Sequence, residues 1–460
     1  MKNDFDRYFR FLQFSLEQSD GQDFLSGEAL ADFDWDSFYR FAKKQALVGV
    51  VFDGIQKLPK EVAPNQDLLM TWFGQCQRIK RRNVLMNEAT AKIYEKIKAE
   101  GFRCCILKGQ GNALMYPNPH ARTPGDVDVW VNASREEIRR LATVLAEGNG
   151  NIGKESLNHI EMSVNGIAVE LHSTPAILNN PLYNRRLQRW LKRNADLQCS
   201  NVVELPNGVG GVAVPTAAFN VVYQLFHLYH HYLFEGIGLR QFVDYYFVVN
   251  DFWKVKETFS KTHPSSLTLK GGSTAFPKPL FNSLYDPFGS PCRGQKPQGT
   301  GDVTAPPRCS EPLRSKVGGA SKPSPDCLCG VNRLAQSSDA ADDAIIATCA
   351  LDALQRELKH FGLWKFARAV MYVLHEVLGL AEEKMIAPMD KKRGVSLLNE
   401  IMRGGNFGNF DERFSWGHDA IGHNVQRLVR DLRLARYYPA EALSEPVFRT
   451  WHFLWRMWHK

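Results

Sequence analysis

Gly125-Asp-Val-Asp-Val-Trp-Val131 alternates acidic or aromatic side chains with valines, the two-residue period of a β-strand. Successive side chains of a strand point to opposite faces. Asp126, Asp128 and Trp130 therefore share one face, and Val127, Val129 and Val131 share the other. The three valines need a core to cover them. The opposite face carries two carboxylates side by side, which repel unless a cation lies between them. Mg²⁺ (or Mn²⁺), a hard ion that takes a few carboxylates together with waters and phosphate oxygens, is the natural occupant. A D-x-D pair taken alone describes solvent-facing strand-end acids equally well, so its surroundings decide its meaning.

Upstream, Arg103-Cys-Cys-Ile-Leu107 is short and apolar and is bounded by Lys108-Gly109, the pattern of a buried strand. Gly109 ends that strand where backbone N–H groups can approach a phosphate closely. Lys108 and Arg122 carry the charge to neutralise a triphosphate, Arg122 with the better bidentate geometry, and Gly125 precedes the acidic pair. Their plain alternatives are a turn glycine, an exposed lysine and a surface ion pair. Gly111 to Tyr116 reads as a short helix closed by Pro117 and Pro119. Downstream, Ser134 with Glu137 forms a capping box that opens a helix to about Glu147. His159–Val164 and Ile167–His172 flank Asn165-Gly166, a strong hairpin signal. Glu170 lies on the second arm. If that arm pairs near the Asp126 strand, three carboxylates meet, enough to hold two metals roughly 4 Å apart for in-line displacement at phosphorus.

Leu107-Lys-Gly109, Tyr116, Pro119, Arg122 and Gly125–Val131 together resemble the uncharacterised nucleotidyltransferase family, within the DNA polymerase β-type nucleotidyltransferase superfamily. Val169-Glu-Leu-His172 resembles its later acidic strand. Arg240, Gln241 and Asp244 resemble a downstream helical motif. The resemblance covers most of residues 30–250 and, more loosely, 350–460. It implies a mixed β-sheet core with helices on it, bound Mg²⁺ and an NTP substrate. Asp126 and Asp128 match the metal-binding pair, Glu170 the third acid and Gly109 the phosphate-loop glycine. Gln110 stands where the superfamily usually has Ser or a second Gly, and the Gly109-to-Asp126 interval is longer than usual.

The expected fold class is α+β. Residues 1–100 form an N-terminal helical region, including a helix from about Leu68 to Ala99 stopped by Gly101. Residues 101–200 form the nucleotidyltransferase core, and 201–263 a helical region with helices at Thr216–Phe234 and Leu239–Val249. Residues 264–340 hold eleven of the 23 prolines without sustained periodicity and read as a disordered or poorly ordered insert. Residues 341–460 form a C-terminal helical region, with helices at Ala341–Leu380 and Tyr438–Trp458. Trp451, Trp455 and Trp458 recur at helical spacing and are expected to dock on the core. On α-helical spacing His227, His231 and Glu235 share a face; packed, hydrogen-bonded histidines are the ordinary reading, and a metal or acid–base site the sharper one.

With 460 residues, 44% hydrophobic and 23% charged, the chain has material for two to three globular domains. No apolar run is long enough for a bilayer span, and the N-terminus lacks a signal-peptide core, so a cytoplasmic protein without a membrane partner is expected. The net charge of +8 is mild. The basic runs at Arg78–Arg82 and Arg185–Arg193 read as solvated helix faces, so nucleic acid is a less favoured partner than a nucleotide. Among the nine cysteines, Cys292, Cys309, Cys327 and Cys329 fall in one segment with a C-x-C but no C-x-x-C pair, which argues against a zinc site there. The expected activity is transfer of a nucleoside monophosphate from an NTP to an unknown acceptor. The alternative is a non-catalytic nucleotide-binding or regulatory protein on the same fold.

Overall fold

The computed structural model describes residues 2–16, 30, 32–147, 150–262, 351–411 and 420–458. The expected insert at 264–340 lies outside the described residues.

Two short polar devices set the long helix that leads into the sheet. The Asn65 side chain accepts from Leu68 N at the start of α4 (Gln66–Ala99), and Gly101, at φ +82°, turns the chain out at the end. Before it come α1 (Lys2–Leu16), α2 (Trp35–Lys44) and α3 (Val48–Ile55). After it, β1 (Cys104–Leu107), α5 (Gly109–Ala113), β2 (Val127–Val131), α6 (Arg135–Ala146), β3 (Gly150–Glu155), β4 (His159–Val164) and β5 (Ile167–His172) build the sheet region. The five strands run in the order β1-β2-β5-β4-β3, with β2 and β5 parallel and the other pairs antiparallel. The fold is therefore mixed α+β, as the sequence pattern predicts.

Strand alternation divides the core in two. Cys104, Ile106, Val127, Val129, Val131, Val169 and Leu171 pack with α4 and α6 on one face. Cys105, Leu107 and Trp130 face the other side, where Trp130 and Trp190 both stack on Phe219. That second face also presents Asp128 and Glu170. The β4–β5 turn places Asn165 at φ +51° and Gly166 at φ +74°, the left-handed pair that a two-residue hairpin requires. The Ser134–Glu137 capping box is present in both directions at the start of α6.

The helical side is made by α7 (Pro181–Gln198), α8 (Ala217–Phe234) and α9 (Leu239–Thr262), with a small ribbon of β6 (Val202–Glu204) and β7 (Gly211–Ala213) between α7 and α8. Then come α10 (residues 351–360), α11 (Trp364–Leu378), α12 (Lys391–Gly404), α13 (Ala420–Ala435) and α14 (Pro439–Trp458). Three readings need correction. The helix expected over Ala341–Leu380 is interrupted at 361–363, because Gly362 takes φ +74° and ends α10. The short helix starts at Gly109, two residues before the expected Gly111. Trp451 and Trp458 do not dock on the core: they are 49% and 88% exposed, and the Trp455 side chain lies outside the described residues. No helix among the described residues is long and apolar enough to cross a membrane.

Candidate active site

Asp128 lies on β2 directly opposite Glu170 on β5. In parallel register the two side chains stand next to each other on the same face. Asp126, one residue before β2, completes the set. The three carboxylates each offer an oxygen within 4.8 Å of the others. They line a cleft of about 500 Å³ whose floor is this sheet face and whose walls come from α8, α9, the 405–408 segment and α14.

Three cations or imidazoles answer this negative charge. Lys108 Nζ lies 2.9 Å from Asp128 Oδ1. His172 Nε2 lies 3.1 Å from the same oxygen and 3.2 Å from Glu170 Oε2. His159, opposite His172 on β4, approaches Glu170 Oε1 at 4.0 Å. The electrostatic consequences differ along the row. Repulsion from Asp128, and then burial, raise the Asp126 carboxyl above its ordinary range. Burial alone would raise Asp128 as well, but Lys108 and His172 outweigh it and hold that carboxyl low. Glu170 shows the same balance: burial pushes it up, and the His172 hydrogen bond brings it below its usual value. His172 is itself raised, its burial being overcome by Asp128 and Glu170. The row therefore sets one carboxyl that is pushed up beside two that are held low.

Gly109 starts α5 at φ +44°, and a Cβ there would stand 3.4 Å from the Asp126 carbonyl. The long excursion from Gly109 to Asp126 thus folds back so that the glycine backbone and the acidic pair are neighbours. Gln110, the departure from the superfamily pattern, turns inward: its amide donates to the Asn87 side chain on α4 and is buried. The 110 side chain is accordingly a fastening of α5 to the long helix and leaves the cleft side to backbone.

Arg122 reaches the cleft but is engaged. Its Nε and Nη2 donate to the two Asp244 oxygens at 2.8 Å, and the Tyr116 hydroxyl donates to Asp244 at 2.6 Å. Both members of the pair are buried, so this is an internal strut joining the β2 approach to α9. It is not the surface ion pair considered as the plain alternative. Arg240 donates to the Thr123 carbonyl at 2.9 Å and lies over the Phe407 ring at 5.2 Å. Gly125 leaves open space at the start of β2, where the nearest atom a Cβ would meet is Arg240 Nη1 at 3.7 Å.

His227, His231 and Glu235 do share a face of α8, as a hydrogen-bonded row. Lys108 Nζ lies 3.4 Å from His227 Nδ1, His227 Nε2 lies 2.9 Å from His231 Nε2, and His231 Nδ1 lies 2.7 Å from Glu235 Oε2. If Lys108 donates, His227 carries its proton on Nε2, donates to His231, and His231 donates in turn to Glu235. Several cleft residues gave no signal in the sequence. Lys154 comes from β3, and Arg427, Arg449 and His452 come from the C-terminal helices. His159 had a weak one, since it opens the hairpin arm facing His172.

Residues 31–258 match the uncharacterised nucleotidyltransferase family. The chain belongs to that family. No curated protein and no solved structure matches it. The matched span carries the whole sheet together with α8 and most of α9, so it contains every carboxylate described above.

Proposed function

We propose that the cleft transfers a nucleoside monophosphate from an NTP to an acceptor, releasing pyrophosphate. The observation that carries this is the convergence of Asp126, Asp128 and Glu170 at one end of a parallel strand pair within a nucleotidyltransferase-family span. The donor set suits a hard divalent ion: three carboxylates, two of them with lowered pKa values, beside a cleft with room for phosphate oxygens. Mg²⁺ or Mn²⁺ would be held by Asp126 and Asp128 on the triphosphate side, and with Glu170 on the acceptor side. Such ions screen the phosphate charge and lower the pKa of a bound hydroxyl. Lys108, Gly109, Arg122 and Gly125 form the phosphate end, with Lys108 supplying mobile charge, Gly109 and Gly125 supplying close backbone approach, and Arg122 fixing the β2 approach through Asp244. In the reaction the acceptor oxygen bonds to the α-phosphorus, and the bond from that phosphorus to the β-phosphate bridging oxygen breaks. The electron pair leaves with pyrophosphate, and the acceptor's proton passes to Glu170.

A non-catalytic nucleotide-binding protein on the same fold is the second reading. It is favoured by one observation: Lys108 and His172 already neutralise Asp128 from within the protein. The two readings separate in one set of measurements. NTP affinity should rise sharply on adding Mg²⁺, and that gain should disappear in Asp126→Asn. Glu170→Gln should keep nucleotide binding while pyrophosphate release, followed with cell extract as the source of acceptor, falls by orders of magnitude. Binding that ignores Mg²⁺ would remove the metal-dependent reading. Mg²⁺-linked binding without pyrophosphate release from the unaltered protein leaves the binding protein as the better account.

A further inference from the structure

Glu170 belongs to two groups of ligand-type side chains. The second is His159, Glu170 and His172, whose donor atoms also lie within 4.8 Å of one another. The β4–β5 register creates it. His159 pairs with His172 across the ladder, and Glu161 pairs with Glu170, so His159, His172 and Glu170 stand over the same face. The ring centroids are 5.0 Å apart. His159 Nε2 is 4.0 Å and His172 Nε2 3.2 Å from opposite oxygens of the Glu170 carboxylate. His172 is 4% exposed, and the Nδ1 atoms of both histidines are buried without a hydrogen-bond partner among the described residues. A buried and a half-buried imidazole beside one carboxylate, each with a buried ring nitrogen left unpartnered among the described residues, are costly to keep for packing alone. All three side chains line the cleft.

We propose that His159, Glu170 and His172 form a site for a divalent transition ion of the Zn²⁺ class, adjoining the Asp126–Asp128–Glu170 group and sharing Glu170 with it. Ligand chemistry separates the two. Imidazole nitrogen suits Zn²⁺, Co²⁺ and similar ions, whereas Mg²⁺ takes oxygen ligands and gives up water reluctantly. Asp126 and Asp128 offer only oxygen. Two nitrogens and one oxygen are the three-ligand protein set of zinc sites that engage a substrate, and all three side chains line the cleft. Glu170 would then join an oxygen-selective site to a nitrogen-selective one. The inference deepens the proposed function by assigning a different ion to the acceptor side, and it rests on Glu170 being a ligand.

The test uses the full-length protein, stripped with chelator and dialysed against Zn²⁺ in the presence of excess Mg²⁺, with bound metal measured by elemental analysis. About one Zn²⁺ per chain should resist Mg²⁺, and Co²⁺ in its place should give the visible absorption of a low-coordinate ion. His159→Ala should weaken Zn²⁺ binding by about 10-fold or more and leave Mg²⁺-linked NTP binding in place. Asp126→Asn should do the reverse, keeping Zn²⁺ and losing the Mg²⁺ linkage. If His159→Ala unfolds, His159→Gln keeps a polar side chain of similar reach without the imidazole, and the same loss is expected. Failure of the proposed function alone would appear as retained Zn²⁺ without Mg²⁺-linked nucleotide binding. A Zn²⁺ that persists undiminished in both His159 variants, as one held by cysteines would, overturns the inference. So does the absence of any Mg²⁺-resistant Zn²⁺ in the unaltered protein.

Discussion

Asp126→Asn and Asp128→Asn, two residues apart and chemically identical changes, should move stability in opposite directions. Asp128 is the partner of two buried groups: Lys108, whose side chain is 14% exposed, and His172, whose side chain is 5% exposed. Its amide replacement leaves an ammonium and an imidazole without their counter-charge. Removing one member of a buried pair costs about 3–5 kcal/mol. Lys108 still feels Asp126 and Glu170, so the lower end, about 3 kcal/mol, is expected. Asp126 has the opposite balance. It is raised by Asp128 and by burial, so its ionised form opposes folding at neutral pH. Asp126→Asn should gain up to about 1 kcal/mol. The pH dependence follows from the two directions. Asp126 has its folded pKa above the unfolded value, so it binds more protons folded, and its cost grows as pH rises above about 3.8. Asp128 has its folded pKa below the unfolded value, so the stability it contributes is full above 3.8 and fades as pH falls through the folded pKa. Urea unfolding with EDTA present, followed by tryptophan fluorescence at pH 7 and pH 4.5, reads both. At the lower pH the gain in Asp126→Asn should shrink, while the deficit in Asp128→Asn persists. An Asp128→Asn protein as stable as the parent, or an Asp126→Asn protein that loses as much as Asp128→Asn, would refute this account of the site.

Lys108→Met removes the internal competitor for Asp128, so Mg²⁺ or Mn²⁺ affinity without nucleotide should rise several-fold while Mg²⁺-NTP affinity falls; titration calorimetry showing unchanged metal affinity would contradict it. Asp244→Asn strands the buried Arg122 guanidinium and the Tyr116 hydroxyl and should cost about 3–5 kcal/mol in urea unfolding; a cost under about 1 kcal/mol, the surface-pair range, would show that the strut carries no load. Gly408→Ala should destabilise by about 1–3 kcal/mol, because Gly408 sits at φ +70° and its Cβ would fall 2.3 Å from the Glu235 carbonyl. The same change should shift Phe407 off His231 and Arg240, which a changed ring-current shift in the His231 NMR signals would report.

The strand period of Gly125–Val131 and the Asn165-Gly166 turn were enough to put Asp126 and Asp128 on one strand face and Glu170 on a hairpin arm, because both signals are local: side-chain alternation and left-handed φ belong to the residues themselves. The pairing of β2 with β5 is not local. Nothing in either strand states that they run parallel in the Asp128–Glu170 register; that follows from α6 and β3–β4 carrying the chain across and back. The cleft's far wall was illegible for the same reason. Arg427 and Arg449 sit more than two hundred residues after Asp126 and enter the site only because α13 and α14 fold over α8. The exposed Trp451 and Trp458 mark the limit of helical periodicity as a guide: it says that a helix has an apolar face, not that this chain covers it.

Lys108 shows how position in the fold adds to what charge alone suggests. Its sequence context, a lysine before a strand-ending glycine, points at phosphate. Its place in the fold is set by φ +51°, an uncommon conformation for a residue with a side chain, which turns Nζ back over β2 to Asp128. On its other side Nζ meets His227, from which hydrogen bonds continue through His231 to Glu235, 52% exposed at the end of α8. An ammonium held between an anion and a neutral imidazole acceptor can leave the anion without losing every partner. An ion that displaces Lys108 from Asp128 therefore meets a smaller penalty than the 2.9 Å pair taken alone would impose. The histidine row thus has a physical role at the acidic site, and the increase in metal affinity expected of Lys108→Met is the measure of what that remaining competition costs.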